Sequence, residues 1–345
     1  MAKGKSEGLS YKELIGALRR DGPQRLYMLW GEEDYLIAAF TAELRRACLP
    51  EGGTEFDEKR IDGPSLPLQA LRDALDAMPF LSERTFVELR GVDINKCTDE
   101  QYAKLLGDVP DWCTVVITLP AGGKPDGRLS LIKRIKKDGC AVEFAAQSES
   151  EIFKWLQRRF AAHGKRIGQR EMERLVFLSG DLMNRLIPEI DKISAYAKGE
   201  EITLSDVEAV AHHLPEADVF AMCDAIAAGN TDRAAALLAE LLAGDAEPIM
   251  LTALVGAQFR SLYAAKLTEE RRLGSDYLRE VTGKTGYFAT KLMQSARAYR
   301  LEELRQAVRL CAETDYKFKS NSNLTPAENV EELLIRLAMN HHAAY

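Results

Sequence analysis

The stretch LYMLWGEEDYLIAAF, residues 26–40, predicts the fold of the first part of the chain. Its first five residues form an apolar run with the length and composition of a buried strand. Gly31 ends that run, and an apolar pattern at helical spacing begins at Asp34. The stretch therefore predicts a strand, a glycine turn and a helix in immediate succession.

A phosphate-binding loop would lie at this same turn, but the residues that make one are missing. Such a loop needs G-x-x-x-x-G-K-[ST], with glycines so that backbone N–H groups can surround phosphate and a lysine for its charge. Here only the first glycine is present, and Glu32, Glu33 and Asp34 add negative charge beside it. We interpret these acids as capping a helix N-terminus, where negative charge is favoured, and we predict no typical nucleotide site.

Further strand patterns follow, and helical patterns separate them. TFVELR (85–90), CTVVITL (113–119) and the short AVEF that ends at Phe144 have the composition of strands. Strands that alternate with helices indicate a parallel sheet with helices on its faces. The sequence therefore predicts an α/β domain over residues 1–144.

From about Ala145 onward we find no strand pattern. Ile152, Trp155 and Phe160 recur at the spacing of one helix face, and further helical patterns follow to the end of the chain. Several of these patterns end in glycine or begin with proline, as helices commonly do. We predict a small helical domain over residues 145–211 and an all-helical domain over residues 212–345.

Composition limits the function classes. The formal net charge of -7 excludes a strongly basic DNA-coating protein. None of the six cysteines lies at C-x-x-C spacing, which is typical of buried thiols in a reducing compartment. The N-terminus has no apolar signal core, and no run approaches the roughly 18 apolar residues of a membrane span. We expect a cytoplasmic protein with no membrane partner.

Patterns that would indicate catalysis or metal binding are not found. His212 and His213 are adjacent and therefore point in different directions on a helix, and no histidine pairs with a cysteine or acid at ligand spacing. The nucleophile motif G-x-S-x-G does not occur. We predict no catalytic site, no cofactor and no metal.

The segment DAMPFLSER, residues 76–84, differs from an ordinary loop. A helix is predicted from Leu66 to Met78, and Pro79 prevents its continuation. Phe80 and Leu81 then follow each other in a turn, where consecutive side chains point in different directions. Two readings stay open: both side chains fold under the sheet, or both project as a plug for a partner's pocket, the usual form of an interface hot spot.

The segment RLSLIKRIKKDG, residues 128–139, predicts a helix with two unlike faces. Leu129, Ile132 and Ile135 form the apolar face. A basic face can follow a phosphate backbone, although an ordinary solvated helix face has the same pattern. The possible DNA-facing residues are Lys133, Arg134, Lys136 and Lys137.

Four segments in the same order resemble the delta subunit of the bacterial DNA polymerase III clamp loader, over about residues 24–338. LYMLWGEEDYL is similar to that family's opening strand and its Gly-Glu-Glu/Asp turn, and DALDAMPFLSERTFVEL to its clamp-binding segment. GDLMNRLIPEIDKI resembles its Gly-Asp-Leu…Glu-x-x-Lys helix. The most specific match is DVFAMCDAIAAGNTDRAAALLAELLAGDAEPIMLTALVGAQFR, with Asp-Ala-Ile, Glu-Pro-Ile and Gln-Phe-Arg.

The resemblance implies an AAA+-like α/β domain without a phosphate loop, a small helical domain and an all-α collar domain. It implies that the chain binds and opens the ring-shaped sliding clamp, with Phe80 and Leu81 in the clamp's apolar pocket and Met78 in support. The partner ATPase subunits gamma/tau would bind ATP and load the clamp on primed DNA, with delta-prime as a further loader partner. The helices from about Val219 onward would form the collar.

One residue departs from the family pattern. Pro188 stands where a helix-compatible residue is expected, so the helix there is expected to kink or to begin at the proline.

Two other functions are the alternatives to the clamp-loader role. A helical adaptor for single-stranded nucleic acid would need basic residues interleaved with stacking aromatics, but aromatics are only 8% and lie mostly on apolar helix faces. An enzyme with an unrecognised phosphate site would need it near residues 31–36, which are acidic.

Overall fold

The computed structural model describes residues 10–49, 56–244, 246–320 and 323–342. The N-terminal tail, from which the absence of a signal segment was inferred, lies outside them. The chain divides into two compact units. The first comprises Met1–Ser148 with Leu182–Asn184, and the second comprises Glu149–Asp181 with Arg185–Tyr345. The three predicted domain ranges stay predictions.

The first unit is built on a five-stranded parallel sheet with the order β2-β3-β4-β1-β5. The predicted parallel α/β fold and its strand patterns are confirmed. One strand, β2, was not predicted, because its sequence EKRID is charged and only partly buried at the sheet edge. The strands are β1 (Leu26–Gly31), β2 (Glu58–Asp62), β3 (Thr85–Arg90), β4 (Cys113–Thr118) and β5 (Cys140–Phe144).

The central strand β1 explains why its sequence is an unbroken apolar run. Met28 pairs with Ile117 of β4 on one side and with Ala141 of β5 on the other. All three residues are fully buried. A strand that is covered on both faces has no solvent side, so hydrophobic residues do not alternate with polar ones.

In the part of the first unit that the structure describes, five α-helices and a short 3-10 helix, Ile94–Lys96, accompany this sheet. The first begins after Ser10, which forms a reciprocal capping box with Glu13. The helix expected to reach Met78 ends earlier, at Asp76, because the chain is already extended at Ala77 before the proline. The helices are α1 (Tyr11–Asp21), α2 (Asp34–Cys48), α3 (Leu68–Asp76), α4 (Glu100–Gly107) and α5 (Ser130–Asp138).

The expectation of no strands after residue 145 is wrong in one detail. Two strands of two residues each, β6 (Arg166–Ile167) and β7 (Glu201–Ile202), pair in parallel. Such short strands carry no alternating pattern that a sequence reading could detect. The rest of this region is helical, as predicted.

The remaining helices include two, Ser275–Thr282 and Gly286–Ala296, that lie within the predicted all-helical domain but have no clear pattern of their own in the sequence. The helix Met183–Tyr196 runs through Pro188 from a start five residues earlier, so it does not begin at the proline. They are α6 (Glu149–Ala162), α7 (Gln169–Ser179), α8 (Met183–Tyr196), α9 (Leu204–Val210), α10 (Pro215–Ala227), α11 (Thr231–Ala243), α12 (Pro248–Glu270), α13 (Ser275–Thr282), α14 (Gly286–Ala296), α15 (Leu301–Lys319) and α16 (Pro326–His342).

The long helix α12 is the centre of the second unit. It packs against α10, α13, α14, α15 and α16. Its residues Phe259 and Leu262 are buried, and so is Leu304 of α15. A helix that is covered by neighbours on most sides is apolar around much of its circumference, which explains its weak amphipathic pattern.

Candidate functional site

The connection between α3 and β3, residues 77–84, carries the predicted partner-binding side chains; we call this connection the tip. Met78 is 73% exposed, Phe80 75% and Leu81 61%. The reading in which Phe80 and Leu81 fold under the sheet is therefore wrong. Large apolar side chains with this exposure, placed together in a connecting loop, are available to a partner.

The backbone of the tip is held by one carboxylate, that of Asp57. Its Oδ2 accepts hydrogen bonds from the N–H groups of Leu81 at 2.9 Å and Ser82 at 2.7 Å, and its Oδ1 accepts one from the N–H of Phe80. Asp57 is itself only 1% exposed. Three consecutive N–H groups thus face inward, toward the protein.

Hydrogen bonding to the charged form makes Asp57 a stronger acid. The N–H group of Phe80 contributes most, and those of Leu81 and Ser82 add to it, so the pKa of Asp57 is lowered to about 2. Burial acts in the opposite direction and is outweighed. Asp57 is therefore ionised at neutral pH, and its bonds to the tip are charge-assisted.

Both ends of this arrangement are attached to the sheet. The carbonyl of Asp57 accepts a hydrogen bond of 2.8 Å from the N–H of Phe86 in β3. At the start of β3, the hydroxyl of Thr85 donates to the carbonyl of Ala77 at 3.1 Å. The tip is thus a braced loop on a rigid sheet.

Phe56 lies beside the tip, although its position in the sequence did not indicate this. Its ring lies 6.2 Å from the ring of Phe80, edge to face, and Phe56 is 69% exposed. Phe56 and Asp57 were missed because they lie 20 or more residues before the tip in sequence. An acidic residue directly before an edge strand is a weak signal on its own.

The glycine turn after β1 has a geometry unlike a phosphate-binding loop. The N–H groups of Glu32 and Glu33 both donate to the carbonyl of Phe144, at 2.9 and 3.0 Å. Backbone donors that would surround phosphate are thus used within the sheet. The predicted acids do stand at the N-terminus of α2, with Glu33 at the N-cap position and Asp34 in the first turn, but the buried side chain of Glu33 makes no capping hydrogen bond.

The predicted basic face lies on α5. Lys133, Arg134 and Lys137 are exposed, while Lys136 is half-buried with its ammonium 6.0 Å from the centre of the Trp30 ring. Arg134 forms an ion pair with Asp138 at 3.0 Å. On the opposite face Leu131, Ile132 and Ile135 are buried. The role of this face in DNA contact stays a prediction.

Three further features of the described residues concern metal binding, membrane spans and cysteines. No group of three or more His, Cys, Asp and Glu side chains there is arranged to hold a metal ion. No helix there is long and apolar enough to cross a membrane. The six cysteines are all buried, as predicted, and none forms a disulfide.

Comparison with known proteins gives the same family for both parts of the chain. The model of "DNA polymerase III, delta subunit" matches residues 27–145, and that of "DNA polymerase III delta subunit, C-terminal domain" matches residues 216–337. Together the two matches cover more than half of the chain. They include β1, the tip, α5 and most of the helical region.

Individual relatives agree with these matches along nearly the full length. The DNA polymerase III subunit delta of Bacillus subtilis is 27% identical over 88% of this chain and 90% of its own length. A probable DNA polymerase III subunit delta of Aquifex aeolicus is 22% identical over 83% of each chain. In structure, the Bacillus subtilis DNA clamp loader delta protein aligns over 96% of this chain and 100% of its own, with a TM-score of 0.55 and 22% identity. The chain belongs to the DNA polymerase III delta subunit family.

Proposed function

We propose that this chain is the clamp-loader subunit that binds the sliding clamp and favours its open state during DNA replication. The observation that carries the proposal is the braced tip, with Met78, Phe80 and Leu81 projecting from a rigid sheet. Phe80 and Leu81 would enter an apolar pocket of the clamp, and Met78 would support them. Large apolar groups that fill a partner's pocket are the usual anchors of an interface.

The ring would open through differential binding. A protein shifts a partner's equilibrium only as far as it binds one state more tightly than the other. If the tip and its surroundings bind the open ring better, binding stabilises that state without any chemical step by this chain. We therefore propose that the chain is a non-catalytic component of the polymerase complex.

Energy from ATP would come from the partner ATPase subunits gamma/tau, and delta-prime would be a further loader partner. In support, the N–H groups of Glu32 and Glu33 are bonded to Phe144, and the turn carries acidic residues where a lysine would be needed. The helical region from about Val219 would join the collar of the loader, next to primer-template DNA. We expect this assembly in the cytoplasm.

The first test measures binding of the whole chain to the sliding clamp from the same organism. The double substitution Phe80→Ala and Leu81→Ala should weaken binding 100-fold or more, since burial of each side chain is worth about 1.5–3 kcal/mol. The matched control, Ile335→Ala with Met339→Ala, removes two exposed apolar side chains of α16 and should bind as the wild type does.

Three outcomes separate the possibilities. Loss of binding in the tip variant alone supports the proposed site. Equal binding by both variants would show that the clamp uses another surface. If the wild-type chain does not bind the clamp, the proposed function fails and the single-stranded nucleic-acid adaptor becomes the leading alternative.

A second test concerns ATP. A ligand that prefers the folded state raises the unfolding temperature. ATP with Mg²⁺ at millimolar concentration should leave the unfolding temperature of this chain unchanged, while it should raise that of a partner ATPase subunit measured alongside. A clear increase for this chain would contradict the proposal and revive the enzyme alternative.

A further inference from the structure

The hydrophobic effect favours collapse of the exposed apolar side chains of the tip onto the sheet. Burial of apolar surface is worth roughly 25 cal/mol per Å², and nothing in the side chains of Phe80 and Leu81 opposes it. A flexible loop would satisfy this drive within its own domain and would present no plug to a partner. Some other interaction must therefore hold the backbone.

Asp57 supplies that interaction. Its carboxylate is buried and charged, and its bonds to Phe80, Leu81 and Ser82 lie on the inner side of the tip. Collapse of the two apolar side chains would require the tip backbone to turn and these bonds to break. A buried carboxylate without hydrogen-bond donors is costly, so the exposed arrangement is maintained.

Phe56 adds a second apolar wall. Because Asp57 is anchored to both the tip and Phe86, the residue before it is held beside Phe80. The side chain of Phe56 is about as exposed as the apolar side chains of the tip. Its ring meets the ring of Phe80 edge to face, which is an attractive geometry. Phe56, Met78, Phe80 and Leu81 are thus all exposed on the two segments that Asp57 joins.

We propose that Asp57 is the positioning residue of the clamp-binding tip, and that Phe56 is a further contact residue for the clamp. The proposal rests on the function proposed above for the tip and deepens it. Asp57 acts by turning the backbone of residues 80–82 inward. Phe56 enlarges the apolar surface that the clamp covers.

The test of Asp57 uses Asp57→Asn, which keeps the size of the side chain but removes its charge. Asp126→Asn is the matched control, because Asp126 also has a pKa of about 2 and is bonded within its own loop, to Arg128. In the free chain, hydrogen exchange of the amides of residues 80–82 should become at least tenfold faster in Asp57→Asn only. Amides of β4 should not change, which shows that the sheet stays folded.

Clamp affinity then distinguishes a role of Asp57 in positioning the tip from a general loss of folded structure. Asp57→Asn should weaken binding about tenfold in the wild-type background, and should have little further effect when Phe80 and Leu81 are already alanine. An equal loss in both backgrounds, or unchanged exchange of the three amides, would overturn the positioning role. If the wild-type chain does not bind the clamp, the proposed function fails, whereas the exchange measurement still decides whether Asp57 holds the tip.

Phe56 is tested independently of Asp57. Phe56→Ala should weaken clamp binding about fivefold to tenfold, and its effect should be smaller in a Phe80→Ala background because the two rings touch. The control is Tyr316→Ala in α15, whose side chain is equally exposed at 69%. Equal affinity of Phe56→Ala and wild type would remove Phe56 from the contact surface.

Discussion

At the scale of the single residue, Gly31 and Asp57 each determine the backbone geometry of one connecting segment. Gly31 has a φ of +134°, and a Cβ there would lie 2.2 Å from the carbonyl oxygen of Phe144. Only glycine permits this approach of β1 to β5. Asp57 holds the tip through three backbone bonds.

Gly31→Ala should lower the free energy of unfolding of the chain by at least about 2 kcal/mol, because backbone strain of about 1–3 kcal/mol adds to a contact with backbone atoms that cannot move away easily. Urea denaturation followed by circular dichroism measures this. The control is Gly63→Ala, which also has a positive φ, +109°, but has open space around the added Cβ. A similar loss in both variants would show that contact with Phe144 is unimportant.

The ionisation of Asp57 predicts a dependence on pH. Its pKa of about 2 in the folded chain lies below the ordinary value of 3.8. The unfolded chain therefore binds the proton more readily, so this contribution to stability is complete above pH 5 and is lost as the pH falls toward 2. Between pH 5 and 3, the stability of the wild type should fall more steeply than that of Asp57→Asn. Parallel curves would contradict the assigned pKa.

At the scale of the element, α5 shows how one helix can serve both the core and the surface. Its residues Leu131, Ile132 and Ile135 are buried beside the sheet, so the same pattern that predicted the helix also places Lys133 and Lys137 outside. An ion pair to Asp138 already engages Arg134. Lys133 and Lys137 are therefore the most informative positions at which to test DNA contact.

Lys133→Ala with Lys137→Ala should weaken binding of primed DNA by the assembled loader. If both lysines contact phosphate, the slope of log K against log salt concentration should become shallower by about 2, since each neutralised phosphate releases roughly one counterion. Fluorescence anisotropy over a range of salt concentrations measures this. Lys12→Ala with Lys154→Ala, two exposed residues of α1 and α6, is the control for net charge. An unchanged slope would leave α5 as an ordinary solvated helix.

At the scale of the whole molecule, the proposed action on the clamp predicts a preference between two forms of the clamp. A clamp variant with a weakened subunit interface, which does not close into a ring, should bind this chain at least tenfold more tightly than the closed ring, because no free energy is needed for opening. Surface plasmon resonance with each form immobilised compares them. Equal affinities would mean that the chain binds the clamp without favouring the open state.

The sequence by itself determined the elements whose pattern is local. The apolar run of β1, the capping box at Ser10, and the proline and glycine boundaries of several helices depend on residues within a few positions of each other. The candidate contact residues Phe80 and Leu81 also came from sequence, because Pro79 and their adjacency are local features. Short or charged strands such as β2 and β6 carry no such pattern and were missed.

Only the tertiary structure decided whether the tip is exposed. The sequence left both readings open, since the drive to bury Phe80 and Leu81 depends on what restrains their backbone. That restraint comes from Asp57, which is 23 residues before Phe80 in the chain. Parallel pairing of β2 with β3 brings the two together, because residues before paired parallel strands meet at one edge of the sheet. Such long-range hydrogen bonds leave no periodic trace in sequence, so the position of Asp57 and Phe56 could be learned only from the folded chain.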